Sequence, residues 1–336
     1  MKTVTVGASN AISKIQSIYP DNYHIKLDYT KEFFEDNLLS VNDLYHIQNA
    51  DVCFLFGTWG SKNEKRQWHP ENNLRRQAWL ENVNTFFTGI FQLYNKKFIV
   101  FETGTLCRIR SAISGSSHWK DEKPLYYRMG LNHWTYGKTT FCKPSSDRLS
   151  LFIDQNKHYE KQLTEQLYNH QWKNNENGAI MICPGLENDP TATMPIKEFV
   201  DSTYRTLREF TDRKIIVKPH PHTRVDFSKY ETVYTVKTPA WDKTALKKIA
   251  SELYCAVLDN STSIFELTFL GIPCFTSKAN FGYKLGNNNL SKINDIHYNT
   301  PEQMREWYNE MAHTEFLLAE LENESIKKYI EELVNG

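Results

Sequence analysis

Four side chains that carry or can acquire positive charge lie close together in the stretch KPHPHTR at residues 218–224: Lys218, His220, His222 and Arg224. The apolar residues 215–217 just before them are typical of a buried strand. A strand that ends in ammonium, imidazole and guanidinium groups delivers them together to one end of a sheet. Because these groups form charge-assisted hydrogen bonds with phosphate, the stretch predicts a phosphate-binding loop.

Two other interpretations of the imidazoles are open. His220 and His222 can cap local structure at the surface, or they can supply the His-x-His part of a metal site. A mononuclear metal site needs a third or fourth ligand, and the sequence contains no DxD or HExxH motif. We therefore expect no metal ion at this loop.

A second polar cluster lies in DNSTSIFELTFLGIP at residues 259–273, directly after an apolar run. Its candidate binding residues are Ser261, Thr262, Ser263 and Glu266. In one interpretation, Ser263 and Glu266 form a capping box at the start of a helix. In the other, the hydroxyls and free N–H groups at the helix start bind phosphate, and Glu266 accepts hydrogen bonds from ribose hydroxyls.

Short apolar runs alternate with amphipathic segments along the chain, which predicts βαβ units and parallel sheets. The predicted strands are 3–7, 23–29, 50–57, 96–104, 178–185, 214–217, 253–260 and 272–277, and the predicted helices include 72–94, 195–211, 244–252, 263–271, 301–311 and 313–333. The expected fold class is α/β, with two Rossmann-like doubly wound domains that face each other across a cleft. We expect strand 214–217 to lie beside strand 254–258, so that the two polar clusters emerge as neighbours.

The polar stretch 168–178 has the composition of a linker. It divides the chain into a first domain at residues 1–165 and a second domain at residues 178–312. The acidic C-terminal segment 313–336 is expected to form a helix that packs back on the first domain. Ligands of such sheets bind beyond the carboxyl ends of the strands, so the loops at these ends are the candidate sites.

Composition narrows the class of protein further. The chain has 336 residues, of which 40% are hydrophobic, and no apolar run is long enough to span a bilayer. Its six cysteines show no CxxC spacing, and its formal net charge of +0 gives no overall attraction to nucleic acid. We expect a reduced, cytoplasmic protein without a stable membrane anchor.

The pair of motifs KPHPHTR and DNSTSIFELTFLGIP is similar to the carboxyl-terminal domain of GT-B fold glycosyltransferases, most of all those of the capsule-polysaccharide type. The resemblance implies a nucleotide-sugar donor, with UDP as the commonest nucleotide, and no cofactor. It also implies the donor-site roles. The diphosphate or sugar would contact Lys218 and His220, phosphate would bind Ser261, Thr262 and Ser263, ribose would bind Glu266, and the loop CPGLENDPT at 183–191, with Gly185, would close over the donor.

An inverting transferase also needs a base that accepts the proton of the acceptor hydroxyl. Glu102, at the end of predicted strand 96–104, is the first candidate for this base, and Asp121 is the second. The alternative for Glu102 is a salt bridge to Arg108 or Arg110. A retaining reaction would need neither carboxylate as a base.

The acceptor is expected at the amino-terminal half of the chain. Residues 105–143 interleave basic and aromatic side chains, a pattern that can contact phosphates and stack on bases. The candidate acceptor-binding residues are Gly7, Ser9, Arg108, Arg110, Arg128 and Trp134. Alternatively, the aromatic residues belong to the core and the charges form an ordinary solvated face.

Three functions are compatible with these residues. The first is a glycosyltransferase that modifies hydroxymethylated pyrimidines in DNA, since the design is similar to phage DNA glycosyltransferases. The second is a glycosyltransferase that builds a capsule or lipopolysaccharide glycan. The third is a non-catalytic nucleotide-binding or nucleic-acid-binding protein, or a nucleotide-sugar epimerase of related fold.

Overall fold

The computed structural model describes residues 1–7, 9–27, 39–56, 86–104, 106–114, 126–131, 146–185, 192–220, 223, 225–230, 232–233, 244–322 and 324–335. The chain forms two compact units. The first unit comprises residues 1–104, 126–141 and 314–336, and the second comprises residues 105–125 and 142–313. Residues 142–165, which the sequence-based boundary placed in the first domain, are therefore grouped with the second unit.

The strands are β1 (Thr3–Val6), β2 (Asn22–Ile25), β3 (Val52–Phe56), β4 (Lys97–Thr103), β5 (Tyr126–Leu131), β6 (Ala179–Cys183), β7 (Ile215–Val217), β8 (Leu253–Leu258), β9 (Cys274–Thr276) and β10 (Glu315–Leu317). The helices are α1 (Asn10–Ile18), α2 (Val41–Asn49), α3 (Cys107–Ser114), α4 (Ser146–Gln155), α5 (Glu160–Tyr168), α6 (Ile196–Phe210), α7 (Thr244–Ile249), α8 (Ser263–Phe269), α9 (Pro301–Ala312) and α10 (Glu324–Asn335). Residues 86–93 are also helical.

The first unit contains a six-stranded sheet with the order β10-β5-β4-β3-β1-β2. β1 to β4 are parallel, β5 pairs antiparallel with β4, and β10 pairs antiparallel with β5 at the edge of the sheet. On one face of the parallel part, Val4 and Val6 belong to the same apolar cluster as Ile47, Phe87 and Phe91. Two helical segments, α2 and residues 86–93, therefore contribute side chains to this core.

The antiparallel side of this sheet departs from the sequence-based expectation. The C-terminal segment was expected to be helical from residue 313, but it begins with β10, which pairs with β5. β10 has only three residues and lies among acidic residues that favour helices. Its strand conformation therefore comes from pairing with β5, a tertiary effect that no local pattern encodes.

The second unit contains a four-stranded parallel sheet with the order β7-β6-β8-β9. The register pairs β6 with both neighbours, as in Ile180 with Ile215 and Ile182 with Val257. The expectation that strand 214–217 lies beside strand 254–258 is therefore wrong, because β6 lies between them. All five residues of β6 are buried, as a central strand covered on both faces requires.

Helices join the strands of the second sheet and cover it. The longest is α6, whose buried residues recur at helical spacing: Ile196, Phe199, Val200, Thr203 and Leu207. Full burial of one such large apolar side chain stabilises the fold by about 1.5–3 kcal/mol. The parallel strands and connecting helices of both units confirm the predicted α/β, doubly wound fold class.

Glycine is required where α8 turns into β9. Gly271 has φ +78, a backbone conformation that side chains with a Cβ rarely adopt. A Cβ at this position would also lie 2.5 Å from the carbonyl oxygen of Gln171. The turn therefore packs directly against the backbone of the segment that follows α5.

That segment contains a buried histidine. His170 is 3% exposed, and its ring lies edge-on against Trp172 with centroids 4.3 Å apart. The Gln166 amide donates to Nδ1 at 3.0 Å, which places the ring proton on Nε2. Nε2 is buried and lacks a hydrogen-bond partner among the described residues. Burial lowers the pKa of His170 from 6.5 to about 4, and an interaction with the Gln166 backbone raises it to a smaller extent.

His170 therefore links stability to pH. The folded chain holds this imidazole neutral, and the unfolded chain protonates it below its ordinary pKa of 6.5. The contribution to stability is complete above pH 6.5 and is lost as the pH falls from 6.5 towards 4. At pH 5 the expected loss is about 2 kcal/mol, and His170→Gln removes this component. Urea unfolding of both proteins at pH 7 and pH 5 measures it. An equal loss in wild type and variant would contradict the assignment.

Candidate functional site

The candidate site lies where the second sheet reverses its winding direction. From β6 the chain continues to β7 on one side, and it then returns to β8 on the other side of β6. In doubly wound sheets the crevice between two such strands, beyond their carboxyl ends, is the usual ligand site. The crevice here is bounded by the loop after β6 and the turn after β8.

These two connections touch each other. Gly185, two residues after β6, lies so close to Asn260 that a Cβ would sit 2.0 Å from Oδ1 of that side chain. At the other end of the same loop, the Asp259 carboxylate accepts hydrogen bonds from the Thr193 N–H at 2.8 Å and from its hydroxyl at 2.6 Å. Both ends of the loop are therefore held by the turn after β8.

The buried side chain of Asn280 holds the turn after β8 through three hydrogen bonds. The Asn280 side-chain amide donates to the carbonyl oxygens of Asp259, at 2.7 Å, and Ser261, at 3.1 Å. Its side-chain oxygen accepts from the Gly282 N–H at 3.0 Å. Asn280 and Thr193 were not predicted from the sequence, since nothing in their spacing distinguishes them from ordinary loop residues.

The hydroxyl cluster Ser261, Thr262 and Ser263 lies at the start of α8, and all three side chains are partly exposed. The capping box considered for Ser263 and Glu266 is absent. Thr262, not Ser263, is the N-cap residue, and its side chain makes no capping hydrogen bond. Ser261 instead accepts from the Ser263 N–H at 3.3 Å. The prediction that Ser263 and Glu266 form a capping box is therefore wrong.

Charged groups surround the carboxyl end of β6. Glu266 is 3% exposed, and its Oε2 lies 4.0 Å from Nη1 of Arg108. Burial raises the pKa of the Cys183 thiol to about 11, with the Lys218 ammonium lowering it and the Glu266 carboxylate raising it to smaller extents. The backbone of Lys218 bonds to the end of β6, and Glu266 lies in the first turn of α8, directly after the strand whose Leu258 pairs with Cys183. Lys218 and Glu266 therefore both follow strands that end beside the end of β6.

The chain after β7 contributes the cationic loop. The Lys218 N–H donates to the Ile182 carbonyl at 2.8 Å, so the ladder between β6 and β7 extends one residue further. The His220 carbonyl accepts from the Thr223 N–H at 2.9 Å, and the His220 side chain is partly exposed. β7 and β8 are two strand spacings apart, roughly 9–10 Å. The Lys218 and Ser261 clusters therefore flank the end of β6, where Gly185 lies. His222 and Arg224 are outside the described residues.

The acceptor candidates that the structure describes are divided between the two units. Arg108 belongs to α3 in the second unit and pairs with Glu266. Arg128 is 3% exposed within the first sheet, in register with the fully buried Glu315. A guanidinium buried in this way lies inside the sheet and not on a surface that an acceptor would contact. The backbone of Arg110 lies in α3, but its side chain and all of Trp134 are outside the described residues.

The remaining candidates belong to the first unit or lie outside the description. Gly7 has φ +80 at the end of β1, where the first sheet reverses its winding direction between β1 and β3. Ser9 caps α1 by accepting from the Ile12 N–H at 3.1 Å. The backbone of Glu102 lies in β4, in register with Arg128, while its side chain and Asp121 are outside the described residues.

Among the described residues, no group of three or more His, Cys, Asp or Glu side chains is arranged to hold a metal ion. None of the helices in the described ranges has the length and apolar character needed to cross a bilayer.

The contact between Gly185 and Asn260 can be tested by stability. A methyl group at Gly185 would overlap the buried Asn260 side chain, so Gly185→Ala should destabilise the protein by about 1–3 kcal/mol. Gly89→Ala is the matched control, because a Cβ there meets nothing within 4 Å and residues 86–93 are helical. This control should stabilise by about 0.5–1 kcal/mol.

A double substitution identifies the contact. Asn260→Ser makes room for the methyl group, so Gly185→Ala should lose less stability in that background than in the wild type. Chemical denaturation of the four proteins measures the coupling. Strictly additive losses would show that the two positions do not contact each other.

No protein-family model matches the sequence, and no curated protein matches it. Among solved structures, the chain is similar to the KpsC beta Kdo 2,7 transferase of Thermosulfurimonas dismutans, with 14% identity, 97% of this chain and 100% of that chain covered, and a TM-score of 0.46. The KpsC beta Kdo 2,4 transferase of the same organism has 11% identity, coverage of 93% and 89%, and a TM-score of 0.44. The UDP-GlcNAc 2-epimerase of Methanocaldococcus jannaschii, in complex with UDP-GlcNAc and UDP, has 10% identity, coverage of 98% and 100%, and a TM-score of 0.30.

Proposed function

We propose that this chain is a glycosyltransferase that moves a sugar from a nucleotide-sugar to a hydroxyl of a capsule or lipopolysaccharide glycan. The observation that carries the proposal is the buried Glu266 carboxylate at the reversal point of the second sheet, with Arg108 and Lys218 at the same strand end. An acidic residue and cations at such a point suit a ligand with both ribose hydroxyls and phosphate.

The donor would be held by the two connections that flank β6. Glu266 accepts hydrogen bonds from the ribose hydroxyls, and the partly exposed hydroxyls of Ser261 and Thr262 donate to phosphate oxygens. Lys218 supplies positive charge and the His220 imidazole a hydrogen-bond donor from the opposite side of the crevice. The nucleotide-sugar is a co-substrate, and the role that a metal ion plays in other transferases would fall to these protein cations.

The same groups favour the chemical step. As the bond from the anomeric carbon to the phosphate oxygen breaks, its electron pair passes to the leaving phosphate, where negative charge develops. Fixed cations and donors aimed at that oxygen lower the barrier. The acceptor hydroxyl forms the new bond to the anomeric carbon, and in an inverting reaction its proton passes to a carboxylate base. Glu102 is the first candidate for this base and Asp121 the second.

A glycan acceptor is favoured over DNA by the fate of the basic residues. The DNA interpretation needs exposed cations in residues 105–143. Of the two basic side chains of this stretch that the structure describes, Arg108 is partly exposed and pairs with Glu266, and Arg128 is buried. The motifs around Lys218 and Glu266, in contrast, resemble the capsule-polysaccharide type of transferase.

A product-release assay tests the proposal. The protein is incubated with UDP-linked and CMP-linked sugars and with one of three acceptors: a lipid-linked glycan, hydroxymethylated DNA or plain DNA. We expect nucleotide release above background with the lipid-linked glycan alone. Turnover on hydroxymethylated DNA would show that the acceptor is DNA and not a glycan. Absence of nucleotide binding in calorimetry would reject the transferase activity itself.

His220→Ala should separate turnover from stability. Loss of one donor to the leaving phosphate is expected to lower kcat about a hundredfold. The side chain is partly exposed, so the free energy of unfolding should change by less than about 0.5 kcal/mol. His158→Ala, at an exposed histidine of the same unit, is the matched control and should alter neither quantity. An unchanged kcat in His220→Ala would remove His220 from the site.

A further inference from the structure

Helix α3 brings a residue from the amino-terminal half of the sequence to the candidate site. It packs against α7 and α8 within the second unit. Ile109 and Ala112 are buried, and the Lys247 ammonium donates to the Ile113 carbonyl at 2.9 Å near the end of the helix. Arg108, in its first turn, has a side chain that is 34% exposed.

Arg108 faces a carboxylate that is almost completely removed from water. The side chain of Glu266 is 4% exposed, and the two charged groups approach to 4.0 Å. A buried carboxylate stays ionised only if nearby cations or hydrogen bonds compensate for its lost hydration. At 4.0 Å the guanidinium acts through charge and not through a short direct hydrogen bond. Arg108 thus supplies compensating charge to Glu266.

We propose that Arg108 is the positioning residue of the nucleotide site, because it keeps Glu266 ionised and oriented to accept hydrogen bonds from a ribose. This inference rests on the proposed function, since it needs Glu266 to contact the nucleotide. It extends the donor site to α3, an element that neither strand-end motif contains.

The packing of α3 argues against a purely structural role for Arg108. Buried apolar residues and the hydrogen bond from Lys247 hold the helix, whereas a third of the Arg108 side chain is exposed. Removal of the guanidinium should therefore leave α3 in place. Lys247→Met removes a hydrogen bond from the same helix without touching Glu266, and it serves as the matched control.

The test measures UDP and CMP affinity by calorimetry at pH 7.5 and pH 5.5. Arg108→Met keeps most of the length of the side chain but not its charge. It should lower the affinity for the nucleotide about tenfold at pH 7.5. Arg108→Lys, which keeps the charge, should restore most of the affinity. Lys247→Met should bind as the wild type does.

The pH dependence gives a readout that a structural role would not move. Among the described residues, the charged and titratable groups near Glu266 include Arg108 from α3, Lys218 after β7 and the Cys183 thiol of β6. Without Arg108, fewer cations oppose protonation of the buried carboxyl, so it takes up a proton at higher pH. The loss of affinity in Arg108→Met should therefore be larger at pH 5.5 than at pH 7.5.

A double variant decides whether Arg108 acts through Glu266. In the Glu266→Gln background, Arg108→Met should cause no further loss, because there is no carboxylate left to position. An additive loss would overturn the positioning role and assign Arg108 to direct contact with the nucleotide. Equal affinity of Arg108→Met and wild type would overturn it as well. Failure of the wild type to bind either nucleotide would instead reject the proposed function, and this inference with it.

Discussion

The candidate site depends on the central position of β6. Because β6 lies between β7 and β8, the connections after these three strands meet at one end of the sheet. The close approach of Gly185 to Asn260 joins two of the connections, and the hydrogen bonds from Thr193 to Asp259 join them a second time. A larger residue at Gly185 would separate them. The crevice thus follows from strand order and from the absence of one side chain.

Around this crevice a negative charge is buried and positive charges are partly exposed. Glu266 is buried in α8, and the cationic side chains of Arg108 and Lys218 are partly exposed. A buried carboxylate with cations at its border favours a ligand that carries both hydroxyl donors and negative charge. A nucleotide has both, because its ribose supplies the hydroxyl donors and its phosphate supplies the negative charge at a separate position.

Local pattern was sufficient for the elements that form the second sheet. β6, β7 and β8 are continuous apolar runs, and α6 has apolar residues at helical spacing, so each could be predicted from the sequence alone. The order of the strands could not, because parallel neighbours are chosen by packing and by the path of the connections. The prediction that β7 and β8 are adjacent failed for this reason.

Some of the site residues could likewise be predicted from local sequence, whereas their contacts depend on the packing of distant elements. Ser261, Thr262, Ser263 and Glu266 were identified because they follow a buried strand. The N-cap residue, however, is Thr262 and not Ser263, one residue earlier than the capping-box pattern requires. Arg108 was identified as a cation but was assigned to the acceptor. Its true neighbour, Glu266, is far along the chain, and only the packing of α3 against α8 brings the two together.

The composition of α8 supports the proposal that Glu266 contacts a ligand. From Ile264 to Phe269 every residue of the helix is buried, and Glu266 is the only one with a charge. An apolar residue of similar size would avoid the loss of carboxylate hydration, and such replacements of buried ions are often neutral or stabilising. Retention of a carboxylate against this bias is typical of functional sites, where stability is lost for the sake of binding. The buried carboxylate of α8 therefore supports the proposed nucleotide site at the end of β6.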